Sequence, residues 1–111
     1  MALKLMSDNF TAEVSLSLPD DDKMVKRRFN ARFKSLEKSE IDALVNANSD
    51  DGGDAALLNQ VLLGWDGLRD LDGNLIEYSE ENQAEVFEAT PYTAAMVRAY
   101  FAKLNGGRGK N

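Results

Sequence analysis

Apolar and polar residues alternate along the early part of the chain. The apolar positions are Phe10, Ala12, Val14, Leu16 and Leu18, and the residues between them are Thr, Glu and Ser. A period of two is typical of a β-strand with one buried face. The stretch 19–23, which contains one Pro and three Asp, is rich in turn-forming residues and is predicted to end this strand.

The basic segment that follows has the same period. Phe29, Ala31 and Phe33 face one way, and Arg28, Asn30, Arg32 and Lys34 face the other way. This alternation predicts a second strand with an apolar and a cationic face. Because only a short turn separates the two strands, we expect them to form an antiparallel hairpin.

Helical patterns begin after the hairpin. Ser35 or Ser39 is the expected cap of a first helix, and Asp54 is the expected N-cap of a second. Their apolar residues are Ile41, Leu44 and Val45 in the first helix and Leu57, Leu58, Val61 and Leu62 in the second. The run at 61–65 also fits a strand, because periodicity does not assign so short an apolar run.

Two further helices are predicted in the second half of the chain. Ser79 is placed to cap one of them, and Thr90 is placed to cap the last, with Pro91 at its first helical position. Glycines at positions 106 and 107 end the last helix. Residues 1–105 are therefore expected to form a single domain, and residues 106–111 a flexible basic tail.

The stretch WDGLRDLDGN contains three Asp and two Gly beside the only Trp of the chain. Asp72 and Gly73 form a pair that favours a tight hairpin turn, because such turns need positive φ. Trp65 is expected to anchor the core beside Gly64, where no side chain keeps the ring away. The predicted fold is thus α+β, with two β-hairpins and about four helices; whether the hairpins share one antiparallel sheet stays open.

Neither a metal site nor a catalytic site is predicted. An EF-hand loop with Gly73 at its sixth position would begin at Leu68 and end at Ser79, and neither residue is a suitable ligand. Asp70 and Asp72 lie on a polar turn, where carboxylates are usually solvated. The chain also lacks His and Cys. We therefore expect a protein that is not an enzyme and that uses neither cofactor nor metal.

Charge is distributed unevenly along the chain, whose net charge is −6. Residues 23–38 carry seven Lys or Arg and one acid, whereas residues 39–90 carry one Arg and thirteen acids. The basic face Lys26–Lys34 contains two Phe and is one candidate for binding nucleic acid, with the rings stacking on bases. The alternative is that the rings enter the core and the cations line the solvated face. The acidic centre makes nucleic acid the less favoured partner.

The last helix carries more large apolar residues than one buried stripe needs. Tyr92, Met96, Tyr100 and Phe101 are the candidate partner-binding residues, because a second, partly exposed stripe would form a docking surface. A fully buried helix explains the same residues. The sequence alone leaves both interpretations open.

The order of these features resembles that of the tail assembly chaperones of long-tailed bacteriophages and prophages. The resemblance rests on the basic segment ending in RFKSL, on LLGWDGLRDLDGNLIEYSEENQ, on the Thr-Pro-Tyr helix start and on the terminal AYFAKLNGGRGKN. It covers most of the chain, and its most specific part runs from Gly64 to Asn82.

The resemblance implies a function without catalysis. Members of this family bind the long, hydrophobic, helical tape measure protein, keep it soluble while major tail tube subunits polymerise around it, and are absent from the mature virion. Many also exist in a longer form made by a programmed frameshift. Homo-oligomers are a further expectation from the segregated charge. Since the chain has no apolar run of about 20 residues and no signal peptide, we expect it in the bacterial host cytoplasm, without membrane contact.

Overall fold

A computed structural model describes residues 6–47 and 53–106 of the chain. The elements follow in the order β1 (Asn9–Asp20), β2 (Lys23–Lys34), α1 (Lys38–Ala47), α2 (Gly53–Val61), β3 (Leu62–Asp66), α3 (Glu80–Phe87) and α4 (Thr90–Leu104). The strands form one antiparallel sheet in the order β1-β2-β3. The predicted α+β class is therefore confirmed, as a small single domain.

Strands β1 and β2 form the predicted hairpin and pair along their whole length. The buried residues are those that the alternation indicates: Ala12, Val14, Leu16, Leu18, Phe29, Ala31 and Phe33. The turn is shorter than predicted, because Pro19 and Asp20 still belong to β1. Pro19 is tolerated there because β1 is an edge strand, where a missing N–H group need not break a ladder. The chain reverses at Asp21, whose φ is 60°, and Asp22.

Strand β3 settles how the Trp65 segment relates to the first hairpin. Trp65 pairs with Ala31 of β2, so this segment joins the same sheet. Arg32 pairs with Gly64 and Phe33 pairs with Leu62, so the register of the two strands shifts between Arg32 and Phe33. The run at 61–65, for which both helix and strand were predicted, contains both. Its first residue, Val61, ends α2, and the other four belong to β3.

The second predicted hairpin is only partly present. The amide of Gly73 donates to the carbonyl of Asp70, and the amide of Asp70 donates to the carbonyl of Asn74, each at 3.0 Å. These bonds enclose a three-residue loop in which only Gly73 has a positive φ, of 90°. Asp72 and Gly73 therefore lie in a tight turn as predicted, but only Gly73 needs a positive φ, because the turn is a type I turn followed by one left-handed residue. A single bridge, Arg69↔Leu75, replaces a second pair of strands here.

The predicted helix starts near the C-terminal half differ in accuracy. Ser79 caps α3 as predicted, and its Oγ accepts a hydrogen bond from the amide of Asn82 at 3.0 Å. The prediction of Thr90 as the N-cap of α4 was wrong by one residue. Ala89 occupies the cap position, and it makes no side-chain cap hydrogen bond. Pro91 remains in the first turn, where its missing N–H costs nothing.

The starts of α1 and α2 also differ from the predictions. Helix α1 begins at Lys38, so neither Ser35 nor Ser39 immediately precedes it. Instead Oε1 of Glu40 accepts a hydrogen bond from the amide of Glu37 at 2.9 Å, which is the carboxylate half of a capping box. Asp54 lies inside the first turn of α2, where a negative charge still favours the helix.

The core lies between the sheet and the helices, with α4 packed against β1 and α2. At its centre the ring of Tyr100 lies 5.2 Å from that of Phe33 and 5.5 Å from that of Phe10, measured between centroids. None of the four described helices combines the length and the apolar character needed to cross a membrane. Helix α4 ends at Leu104 and Gly106 follows with a φ of 113°, as predicted; the rest of the predicted tail lies outside the described residues.

Candidate functional site

The four residues proposed to bind a partner lie on α4, but three of them are inside the molecule. Tyr92 is 7% exposed, and Met96 and Tyr100 are 0% exposed. Phe101 is half-buried, with its ring centroid 5.3 Å from that of Tyr100. In this fold the first three side chains belong to the core rather than to a docking surface. A role of these residues in binding a partner stays a prediction, and Phe101 is the one with exposed area to support it.

The hydroxyl of Tyr100 joins three parts of the fold. It donates a hydrogen bond to the carbonyl of Lys34 at 3.1 Å and accepts one from the amide of Leu36 at 3.1 Å. Tyr100 therefore satisfies two backbone groups where β2 leaves the sheet towards α1. Burial is the main cause that raises the pKa of Tyr100 above its ordinary value, and the charge of Glu40 raises it further.

Tyr92 and Arg27 hold the loop Arg69–Gly73, which we call the Asp-Gly loop. The hydroxyl of Tyr92 donates to the carbonyl of Arg69 at 2.9 Å. Arg27 donates from Nε to the carbonyl of Asp70 at 3.1 Å and from Nη2 to that of Leu71 at 2.9 Å. Three successive carbonyls of the loop are thus bound by two side chains. Burial raises the pKa of Tyr92, the charge of Asp70 adds to this shift, and Arg27 opposes it.

The loop is also tied to itself. Oδ1 of Asp70 accepts a hydrogen bond from the amide of Asn74 at 2.9 Å, and Nη1 of Arg69 donates to the carbonyl of Gly73 at 2.8 Å. Asp72 is exposed at the tip. Within the described residues, no three or more acidic side chains lie where they would hold a metal ion together. The structure therefore gives Asp70 and Gly73 conformational roles in the loop.

Trp65 and Gly64 act together beside this loop. The indole Nε1 of Trp65 donates to the carbonyl of Ile76 at 2.8 Å, and its ring meets that of Tyr78 edge-on at 4.8 Å. A Cβ placed on Gly64 would lie 3.9 Å from the ring of Tyr78, which is an ordinary contact. Trp65 is partly buried against the core as predicted, and the role of Gly64 in the approach of the Trp65 ring stays a prediction.

A cleft of about 980 Å³ separates the distal half of the hairpin from the first turns of α4. Its lining consists of Ser15, Leu16 and Ser17 of β1, Lys26, Arg27 and Arg28 of β2, and Thr90, Pro91, Ala94 and Arg98 of α4. Four of these residues are cationic and none is acidic, but only Arg27 and Arg98 have side chains on the α4 side, since Lys26 and Arg28 alternate onto the exposed face of β2. This cleft, called the cationic cleft below, is unusual in a chain whose net charge is −6.

The basic face Lys26–Lys34 has the arrangement in which the aromatic rings enter the core. Phe29 is 4% exposed and Phe33 is fully buried, so neither ring is free to stack on a base. Lys26, Arg28, Arg32 and Lys34 are exposed on the opposite face of β2. The nucleic-acid hypothesis therefore loses its stacking residues and retains only its cations.

Exposed apolar side chains gather in one part of the sequence. Six large apolar residues are exposed in the described part of the chain: Met6, Met24, Leu63, Leu71, Leu75 and Tyr78. The last four lie within residues 63–78, on β3 and the Asp-Gly loop and in the chain leading to α3. Leu75, at 54% exposed, and Leu63, at 45%, offer the most area among them.

Sequence reasoning missed the positions of two cations that line the cationic cleft, Arg27 and Arg98. Arg27 was treated as one cation of the basic face, although it shares the parity of Phe29 along β2 and therefore points to the core side. The alternation along β2 was therefore a signal in the sequence from which the direction of the Arg27 side chain could have been predicted. Arg98 carried no signal, because its proximity to Lys26 and Arg27 depends on how α4 lies across the hairpin.

A scan against protein-family models and searches among curated proteins and solved structures found no match for this chain.

Proposed function

We propose that this protein is a non-enzymatic tail assembly chaperone of a long-tailed phage or prophage. Its partner is the tape measure protein, which it keeps soluble in the host cytoplasm until major tail tube subunits enclose it. It helps to recruit those subunits and is absent from the mature virion. The proposal starts from the resemblance carried by the residues of the chain.

One observation supports this proposal best. The segment with the most specific resemblance, Gly64–Asn82, overlaps the segment that exposes Leu71, Leu75 and Tyr78. Adjacent Leu63 adds a fourth exposed side chain. Exposed large apolar side chains are a feature of surfaces that bind other proteins. The residues that suggest the family are thus also those that offer apolar area to a partner.

The chemistry of the proposed partner suits such a surface. A tape measure protein presents apolar helix faces before the tube encloses it, and exposed large apolar side chains on a small folded domain are able to cover those faces without a catalytic step. Displacement by tube subunits requires that each copy bind reversibly. Many copies along one extended partner retain strong overall binding even when each single contact is weak.

Coexpression with the tape measure protein tests the proposal. The tagged protein is produced in cells that carry the surrounding phage or prophage genes, and proteins that copurify are identified by mass spectrometry. We expect a long helical protein that is soluble only when this chain is present. Copurification of nucleic acid alone would instead favour the alternative, a nucleic-acid-binding regulator that uses the Lys26–Lys34 face.

A matched pair of variants locates the contact. Leu63→Gln combined with Leu75→Gln removes exposed apolar area from the segment of interest, whereas Met24→Gln removes it at the hairpin tip, where Met24 is 60% exposed. We expect the double variant to reduce the soluble tape measure protein and Met24→Gln to leave it unchanged. An equal effect of both variants would count against a specific surface at residues 63–78.

A further inference from the structure

We propose that this protein forms a twofold-symmetric dimer in which strand β1 of one copy pairs antiparallel with β1 of a second copy. The two three-stranded sheets would then join into one continuous sheet. The proposal goes beyond the chaperone function proposed above and does not depend on it, because it concerns the isolated protein. It places the homo-oligomer expected from the sequence on a strand that carries little charge.

The backbone of β1 has an unpaired outer side. In an antiparallel pair, only alternate residues of each strand direct their N–H and C=O groups at the other strand. The amide of Ser35 donates to the carbonyl of Asp8 at 2.9 Å, one step beyond the first pair of the β1–β2 register. The even-numbered residues of β1 therefore bond to β2, and the odd-numbered residues between 9 and 17 direct their N–H and C=O groups outward. Among the described residues, the only backbone hydrogen bonds of β1 are those with β2.

The other edge of the sheet, β3, is protected against the addition of a strand. This strand has five residues, and its register with β2 shifts near its start. The indole of Trp65 bonds to the carbonyl of Ile76 and meets the ring of Tyr78, so the chain that follows the Asp-Gly loop lies beside β3. Short length, an irregular register and a covering segment each hinder pairing with another chain.

Strand β1 has little protection of this kind. It is 12 residues long, and its register with β2 is regular throughout. Between residues 9 and 18 its only charged side chain is Glu13, whose carboxylate lies 3.4 Å from Arg28. Pro19, which lacks an N–H group, stands near the end of the strand and interrupts pairing only there. A long, regular edge strand with few charges is a template to which a further strand adds.

A second copy of β1 matches this edge on both faces of the sheet. Ala12, Val14, Leu16 and Leu18 lie on the core face, and small polar side chains prevail on the solvated face. An antiparallel strand with the same alternation continues the apolar face and the polar face across the contact. A twofold axis requires a surface that is complementary to itself, and an alternating strand meets this requirement.

Charge selects the register of the dimer. With Glu13 on the axis, two carboxylates would lie directly opposite each other, which destabilises a strand pair. With Ser15 on the axis, Glu13 lies opposite Ser17 of the second copy, so the two carboxylates no longer face each other. On the core face Val14 then lies opposite Leu16 of the second copy. We therefore infer that Ser15 is at the centre of the contact.

Sedimentation velocity over a range of protein concentrations tests the dimer. The test variant is Ser15→Lys, which places two lysines opposite each other at the axis. Asn30→Lys is its matched control, because it adds the same charge to the same exposed face of the sheet but on the central strand. We expect Ser15→Lys to raise the dissociation constant of the dimer at least about tenfold and Asn30→Lys to change it by less than about twofold.

Hydrogen exchange measured for each residue by NMR identifies the strand that makes the contact. In the dimer the outward amides of Thr11, Glu13, Ser15 and Ser17 would be hydrogen-bonded, so their protection should rise with protein concentration. The amides of the even-numbered residues of β1 bond to β2 within one copy and should be protected at every concentration. Their protection also verifies that both lysine variants are folded.

Three results would overturn the proposal. The first is that the unmodified protein remains monomeric up to about 1 mM. The second is a dimer in which the outward amides of β1 gain no protection, which would place the contact on another surface. The third is that Ser15→Lys weakens the dimer no more than Asn30→Lys does. None of these measurements involves the tape measure protein, so failure of the dimer and failure of the chaperone proposal are distinguishable.

Discussion

The β1–β2 hairpin and the Asp-Gly loop are held by different kinds of interaction. In the hairpin, every second residue is buried from Ala12 to Leu18 and from Phe29 to Phe33, and these apolar side chains share one continuous core. The loop is held by a few polar bonds, in which Tyr92 and Arg27 bind the carbonyls of Arg69, Asp70 and Leu71. The hairpin thus depends on many apolar contacts, and the loop on a small number of hydrogen bonds, of which Tyr92 and Arg27 supply those that attach it to the rest of the domain.

This difference predicts how damage should spread. Loss of one core side chain weakens a cooperative unit and lowers the stability of the whole domain. Loss of one loop bond should chiefly free a local segment, because local opening requires only that its own contacts break. The variants below test this contrast, in order of decreasing expected effect.

Phe33→Ala should be the most destabilising change. Phe33 is fully buried, and its ring contacts those of Phe10 and Tyr100 at centroid distances of 5.8 and 5.2 Å. Truncating a buried Phe to Ala typically costs about 3–5 kcal/mol, because the cavity that remains is only partly closed. Urea unfolding followed by tryptophan fluorescence measures the loss. Leu75→Ala is the control, and a comparable loss there would mean that the described core is not where stability lies.

Tyr100→Phe should cost about 1–3 kcal/mol, because it leaves the carbonyl of Lys34 and the amide of Leu36 without their partner. Tyr92→Phe removes a single bond to the Asp-Gly loop and should cost about 0.5–1.5 kcal/mol. Both substitutions keep the ring, so they isolate the hydroxyl. Urea unfolding of the two variants side by side gives the ranking, and the reverse order would contradict the contrast between core and loop.

Tyr100 should also affect stability at alkaline pH. Burial raises its pKa in the folded state above the ordinary value of 10.0. A group whose pKa is higher when folded contributes stability that is complete below the unfolded pKa and is lost as the pH rises through the folded value. The free energy of unfolding should therefore fall above a pH of about 10. The free energy of unfolding of the Tyr100→Phe variant should fall less steeply over that pH range. Equal slopes for the variant and the unmodified protein would mean that ionisation of Tyr100 does not cause the loss of stability.

Gly73→Ala should destabilise the protein by about 1–2 kcal/mol, because a Cβ is disfavoured at a φ of 90°. Gly64→Ala is the matched control. Gly64 has no such φ, and its Cβ would meet Tyr78 at an ordinary 3.9 Å, so a change within about 0.5 kcal/mol is expected. Thermal unfolding of both variants checks the pair. Equal losses would show that packing, rather than backbone conformation, selects glycine at these positions.

The sequence predicted those parts of the fold that depend on periodicity. Phe33 and Val14 are buried because alternation gives each strand one apolar face. On α4, Tyr92, Met96 and Tyr100 are four residues apart and so form one stripe, which packs into the core, whereas Phe101 falls outside the stripe and remains partly exposed. The sequence showed the stripe but not whether a partner or the domain itself would cover it.

The parts that were not predictable depend on contacts between distant residues. The Asp-Gly pair is compatible with two turn types, and the bonds from Arg27, about forty residues earlier in the chain, are made in the turn type that the structure shows. The cationic cleft likewise requires Arg98 of α4 to lie near Arg27 of β2. No local pattern encodes either distance, since both follow from how the sheet and helix pack.

Arg27→Lys should have the smallest effect on global stability and the most localised effect on motion. Lysine keeps the charge but lacks the planar fork with which Arg27 binds the carbonyls of Asp70 and Leu71. We expect a loss of roughly 0.5–1 kcal/mol in urea unfolding, since these bonds are partly exposed. Hydrogen exchange should quicken at the amides of Gly73 and Ile76, which close the loop, while the amides of β1 and β2 stay protected. Lys34→Arg, at an exposed position of the same strand, controls for a change of cation. If exchange quickened equally throughout the hairpin, the Asp-Gly loop would be part of the same cooperative unit as the core, and the contrast between the two regions would fail.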